Sequence, residues 1–162
     1  LPNPNRSLPM QERVIEVPNH LLIDEIKKAI REGHTATLRV KGFSMRLFLE
    51  SQRDIVKLAP IRPEAVKVRD VVLAEIAKDQ YVLHRVIRRD GSQLTLMGDG
   101  NIRGTEQCLD SHVVGVATEF YRKGRTKPDR VDSLKWRLYS SVWLALKPLR
   151  RIILGIYRRV FV

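Results

Sequence analysis

A single cysteine, Cys108, stands in a chain of 162 residues. It excludes an internal disulfide and leaves no partner thiols for a structural metal site, so nothing in the composition asks for an oxidising compartment. Long apolar runs are missing as well. The longest uncharged stretches of the C-terminal region, LYSSVWLAL and IILGIY, fall well short of the ~20 residues needed to span a bilayer. The opening LPNPNRSLPM has no apolar core of the signal-peptide kind, and residues 1–18 read as a flexible leader rather than a secretory signal or anchor. Acidic residues are scarce at one end. Residues 122–162 hold 12 basic and 2 acidic side chains, against 18 and 16 in 1–121, so +10 of the formal +12 lies in the tail. That asymmetry points to a polyanionic partner, either nucleic acid or an anionic membrane surface.

What remains is a soluble globular composition, with 43% hydrophobic and 30% charged residues, long enough for one domain with a core plus an accessory segment. Leu22, Ile26 and Ile30 recur at helical spacing behind Asn19, and Gly33 supplies a stop, so 19–33 reads as an amphipathic helix and its cap. The texture then changes to short β-branched runs: TATLRVKG, DIVKLAP, DVVLAEIA, YVLHRVIRR, SQLTLMGD and VVGVATEFY. Six strands at short spacing predict a mainly β (α+β), largely antiparallel domain over 34–121. KDQ after Ala77 and the Asp90-Gly91 dipeptide mark tight hairpins, which makes the YVLHRVI strand central. Helical periodicity returns in a tail over 122–162, divided at Pro148. Along 149–161 the wheel gathers Leu149, Ile152, Ile153, Ile156, Tyr157 and Val160 against Arg150, Arg151, Arg158 and Arg159, a basic amphipathic helix.

Alternation through YVLHRVI sets His84 in an apolar row with Val82 and Val86. Taken alone this describes a core histidine. The order of pieces around it is more specific: a strand, then GFSM (42–45), DIVKL, VRDVVLAEI, HRVI, MGDGN and VVGVA. This order resembles the signal peptidase and LexA-type serine peptidase superfamily over roughly residues 36–118. GFSM resembles the nucleophile box, usually G-x-S-M. HRVI matches the segment that carries a general-base His in endoplasmic-reticulum and archaeal-type signal peptidases, where bacterial and LexA-like enzymes have Lys. MGDGN resembles the G-D-N-N motif, and VVGVA the closing strand.

The resemblance implies a LexA/signal-peptidase-like β-fold and a Ser44/His84 peptidase that needs no cofactor and no metal. The residue types suit that chemistry, since a serine hydroxyl needs an adjacent base as it attacks a carbonyl and His has a pKa near the operating pH. Backbone N–H groups of Ser44 and Met45, where the chain leaves the sheet, are the candidates for oxyanion donors. For the acid that orients the histidine, Asp99 in MGDGN is the first choice, with Glu106 and Asp110 as alternatives. The chain departs from the family pattern at Leu47, where S-M-x-P has Pro; at Arg69-Asp70, where G-D is usual; and at GTE (104–106), where the family acid is Asp. His20, His34 and His112 read as surface or loop residues, and Cys108 as a loop thiol.

The implied substrates are peptides or precursor proteins. A LexA-like self-cleaving regulator is the first alternative, disfavoured because the region before the domain has no room for a helix-turn-helix and the chain has no Ala-Gly or Cys-Gly dipeptide. A non-catalytic binding module retaining the fold is the second. For the tail, Trp136, Trp143 and the Leu/Ile stripe disfavour nucleic acid and favour an anionic membrane surface met by 132–162. The competing readings are that these faces fold back on the body or form a homodimer. The expected location is peripheral membrane or cytoplasmic, in a bacterium.

Overall fold

A computed structural model describes residues 19–161 apart from Phe43 and Leu47; the leader of 1–18 and the departure noted at Leu47 lie outside the described residues. Helix α1 (Asn19–Arg31) buries Ile26 and Ile30. It stops where Gly33 takes φ +82°, and the amides of Gly33 and His34 bond back to Ile30 O at 3.0 Å and Ala29 O at 2.9 Å, satisfying carbonyls that the ending helix leaves open.

The strands are β1 (Ala36–Arg39), β2 (Ile55–Ala59), β3 (Val71–Ala77), β4 (Gln80–Asp90), β5 (Gln93–Met97), β6 (Glu106–Leu109), β7 (Val113–Tyr121) and β8 (Asp129–Arg130). They form one eight-stranded antiparallel sheet in the order β1-β2-β7-β3-β4-β5-β6, with β8 added to β7. The fold class is therefore mainly β, with helices before and after the sheet. Two-residue loops close both hairpins around β4: Lys78–Asp79 between paired Ala77 and Gln80, and Gly91–Ser92 between paired Asp90 and Gln93. Gly91 sits at φ +58°, the left-handed region such turns require. Strand β4 thus lies inside the sheet, paired with β3 and β5. Strands β6 and β8 were not expected. The first is only Glu-Gln-Cys-Leu with one buried position, and the second is two residues long, too little for a period to register.

Alternation along β3 sends Val71 and Leu73 to one apolar cluster and Val72 and Ala74 to another, so both sides of the sheet are covered. The first cluster also takes α1 through Ile26 and Ile30, and Trp136 of α2 (Leu134–Ala145). Helix α2 is capped by Ser133, whose Oγ accepts from Trp136 N at 3.2 Å, and Lys147–Leu149 leads into α3 (Arg150–Phe161). The reading of Trp136 and Trp143 as outward, membrane-facing aromatics is corrected here. They are 5% and 4% exposed: positions 136, 140 and 143 share one helical face, on which Trp136 joins the core cluster of the sheet and Trp143 is covered by Tyr139 and Arg150. Trp136 lies 4.5 Å, centroid to centroid, from both Phe48 and Phe120. Part of the tail therefore folds back on the body.

The connection from β1 to β2 carries Ser44 and is pinned at both ends. Val40 N donates to Asp54 O at 2.9 Å and Gln52 N to Val40 O at 2.7 Å. Between them, Leu49 N bonds Met45 O at 3.0 Å, and this helical turn drives Met45, Phe48 and Leu49 into the core. Asp54 is fully buried. Its carboxylate accepts from Glu50 N at 2.9 Å, from Arg53 Nε and Nη2 at 2.7 Å each, and from Lys123 N at 3.3 Å. Burial alone would raise the Asp54 pKa, but these donors outweigh it and hold it below the ordinary carboxylate value. A depressed folded pKa contributes stability that is present above the unfolded pKa and lost as pH falls through the folded one. Asp54→Asn is expected to cost about 1.5–3 kcal/mol in urea unfolding at pH 7, with the gap to the parent narrowing as the pH drops below ~4. A gap that stays constant with pH would contradict this role for the charge.

Candidate active site

A cleft of about 830 Å³ lies between α1, β1 and the β3–β4 hairpin, and both Ser44 and His84 line it. Its apolar lining comes from Leu22 and Ile23 of α1, Leu38 and Val40 of β1 and the turn after it, and Leu73, Tyr81 and Leu83 of β3 and β4. Ser44 is half-buried at the head of the helical turn that Met45, Phe48 and Leu49 anchor. Among the described residues no direct hydrogen bond joins Ser44 Oγ to His84. His20, read as a surface residue, is exposed and stands at the rim of this cleft.

His84 is 4% exposed, and its Nδ1 lies 2.8 Å from Glu106 Oε2. A carboxylate can only accept, so Nδ1 carries a hydrogen and, in the neutral form of the ring, the lone pair is on Nε2. The unexpected strand β6 makes this contact. Glu106 is paired opposite Leu96, and Leu96 opposite Val86, two residues beyond His84 on β4. The carboxylate at GTE is thus the one that reaches the histidine.

Asp99, the first choice for that task, has a different partner. Its carboxylate receives Arg85 Nε at 2.8 Å and Nη2 at 2.6 Å, with both side chains fully buried, and Tyr139 OH at 3.3 Å. Asp110 is likewise engaged elsewhere, by Arg89 Nη2 at 2.7 Å. Arg85 spends its remaining donors on Ser140 Oγ at 2.7 Å and Arg69 O at 3.2 Å, and it stacks 5.0 Å from the Trp136 ring. Burial disfavours the guanidinium charge, yet Asp99 more than offsets this and raises the Arg85 pKa. Burial and the Asp99 charge push the Tyr139 hydroxyl far above its ordinary value. The sequence does hold a signal for Arg85: an arginine within an apolar central strand needs a buried acid. Asp99 lies two residues past Met97, the cross-strand partner of Arg85.

Asp99 instead serves the serine indirectly, through the chain around it. Gly100 N donates to Ser44 O at 2.6 Å, Asn101 N to Gly98 O at 3.0 Å, and Asp99 N reaches Met45 Sδ at 3.4 Å. Gly98 approaches so closely that an added Cβ would lie 2.2 Å from Ser44 O. Only glycine fits there. The MGDGN segment is therefore a cradle for the Ser44 backbone. Cys108, expected in a loop, is a buried residue of β6 whose thiol pKa is raised by burial and then by Asp110, away from the reactive range.

Compared with known proteins, the chain matches no family model, no curated protein and no solved structure. Removing one member of a buried ion pair strands the other, at about 3–5 kcal/mol, whereas replacing both with apolar groups costs far less. Arg85→Met is accordingly expected to lose about 3–5 kcal/mol in urea unfolding, and Arg85→Met/Asp99→Leu to lose clearly less than the two single variants summed. Strict additivity would show that the pair does not act as a unit.

Proposed function

We propose that the protein is a serine endopeptidase of the signal-peptidase/LexA-like type, in which Ser44 is the nucleophile, His84 the general base and Glu106 the acid that orients it. The observation that carries this reading is a buried histidine, fixed in one tautomer by Glu106 at 2.8 Å, opening on the same cleft as Ser44. In the proposed cycle Ser44 Oγ attacks the scissile carbonyl while His84 Nε2 takes its proton, and Glu106 stabilises the imidazolium. The Ser44 and Met45 amides receive the oxyanion. Collapse of the tetrahedral adduct breaks the C–N bond, and His84 returns the proton to the leaving amine. Water, deprotonated by the same imidazole, then releases the acyl group and restores Ser44. Substrates on this reading are peptides or precursor proteins whose extended, partly apolar segment fills the Leu38–Val40 and Leu73–Leu83 walls.

A fluorophosphonate probe tests the assignment. Labelling is expected in the parent, absent in Ser44→Ala, and slowed by about 10²–10⁴ in His84→Ala and Glu106→Gln. Asp99→Asn should lower stability rather than abolish labelling of the folded fraction. A parent that never labels, or a label that survives Ser44→Ala, overturns the enzyme in favour of a binding module.

The tail carries the second part of the proposal, contact with an anionic membrane surface. Among the described residues no helix is long and apolar enough to cross a bilayer. Outward from α2 stand Leu134, Leu138 and Val142 at 82%, 66% and 46% exposure, and outward from α3 Ile152, Ile156 and Val160 at 62%, 59% and 64%. Arg137, Lys147, Arg151, Arg158 and Arg159 are exposed beside them. Apolar stripes with basic flanks suit an anionic interface, where each basic residue contributes about 1 kcal/mol. Sedimentation with phosphatidylserine-containing liposomes is expected for the parent at low salt and weakened in Ile152→Asp/Ile156→Asp. Equal sedimentation of parent and variant would remove the membrane from the account.

A further inference from the structure

Helix α3 grips both segments that build the Ser44 environment. At its first residue Arg150 is fully buried, and Nη1 makes long hydrogen bonds to Gly98 O at 3.3 Å and Asn101 O at 3.5 Å. Two turns later Tyr157 OH donates to Glu50 Oε1 at 2.7 Å. Glu50 follows directly on the helical turn headed by Ser44, and its amide donates to the Asp54 carboxylate at 2.9 Å. One helix thus reaches the segment whose Gly100 amide holds Ser44 O and the segment that contains Ser44 itself.

The energetics of Arg150 point away from a purely structural role. Its guanidinium stacks 5.0 Å from Trp143, but Nε and Nη2 are buried and find no acceptor among the described residues. Burial lowers the Arg150 pKa, with Asp99 countering only in part. A charge buried with donors unspent costs stability, and an apolar side chain of similar volume would pack there at least as well. What an apolar side chain cannot do is hold the Gly98 and Asn101 carbonyls.

We propose that α3 is a clamp on the nucleophile cradle, with Arg150 and Tyr157 as positioning residues that set the placement of Ser44. This rests on the reading of Ser44 as nucleophile for its catalytic consequence, but not for its mechanics. The clamp and the exposed Ile152/Ile156/Val160 stripe occupy different sides of the same helix.

Two full-length variants test it, Arg150→Met and Tyr157→Phe, each by hydrogen exchange at the Gly100 amide, urea unfolding and fluorophosphonate inactivation. The expected result is Gly100 exchange at least tenfold faster in both variants. The urea midpoint should be unchanged or raised for Arg150→Met, and the limiting inactivation rate should fall about tenfold with little change in probe affinity. A merely structural residue would move exchange and the urea midpoint together. Gly100 exchange equal to the parent in both variants overturns the clamp whatever the labelling shows. Faster exchange in a parent background that never labels at Ser44 upholds the clamp and removes the peptidase reading instead.

Discussion

The Arg85–Asp99 ion pair is the joint on which the remaining geometry hangs. Arg85 follows His84 on the central strand, Asp99 sits inside the segment that supports Ser44, and both are sealed by Tyr139 and Ser140 of α2. Two ions at 0% exposure are tolerable only because each satisfies the other in a bidentate fork, with the spare donors spent on Ser140 and Arg69. The pair therefore fixes the strand that carries the histidine relative to the loop that supports the serine. The C-terminal helices are part of this joint, not an appendage to it.

Placement of Ser44 and His84 follows from different physics. His84 inherits its position from β-sheet register, since β3 and β5 flank its strand and β6 brings Glu106 to its ring. Ser44 stands on a connection with no ladder of its own, so packing and loop hydrogen bonds hold it: the Met45, Phe48 and Leu49 side chains in the core, the Asp54 carboxylate at the exit, and the backbone of Gly98 and Gly100 against Ser44 O. On the proposed reading a rigid base faces a loop-borne nucleophile, so the loop's supports would control their meeting.

Much of this was legible in the chain. Alternation in DVVLAEIA and YVLHRVIRR, the Asp90-Gly91 turn and the helical spacing of Leu22, Ile26 and Ile30 placed the sheet, its hairpins and α1, because each pattern repeats over enough residues to be distinctive. GFSM, HRVI and MGDGN drew attention to Ser44, His84 and the Asp99 segment. Glu106 stood only as an alternative because its strand is four residues of mixed character, and pairing that depends on a neighbour's edge leaves little local trace. Trp136 and Trp143 were misplaced for the opposite reason. Their helix has apolar residues on both sides, and composition does not say which side the sheet will cover. Asp54 and Arg85 passed unremarked, since a charged residue reads as solvated until a partner is found for it.

The most direct test of the account is a crystal structure of the protein with a peptide boronic acid in the cleft. The account predicts a tetrahedral boronate bonded to Ser44 Oγ, with His84 Nε2 within hydrogen-bond reach, Nδ1 still on Glu106, and one boronate oxygen facing the Ser44 and Met45 amides. A cleft whose boronate bonds another group, or a His84 ring turned away from an adduct on Ser44, would contradict it.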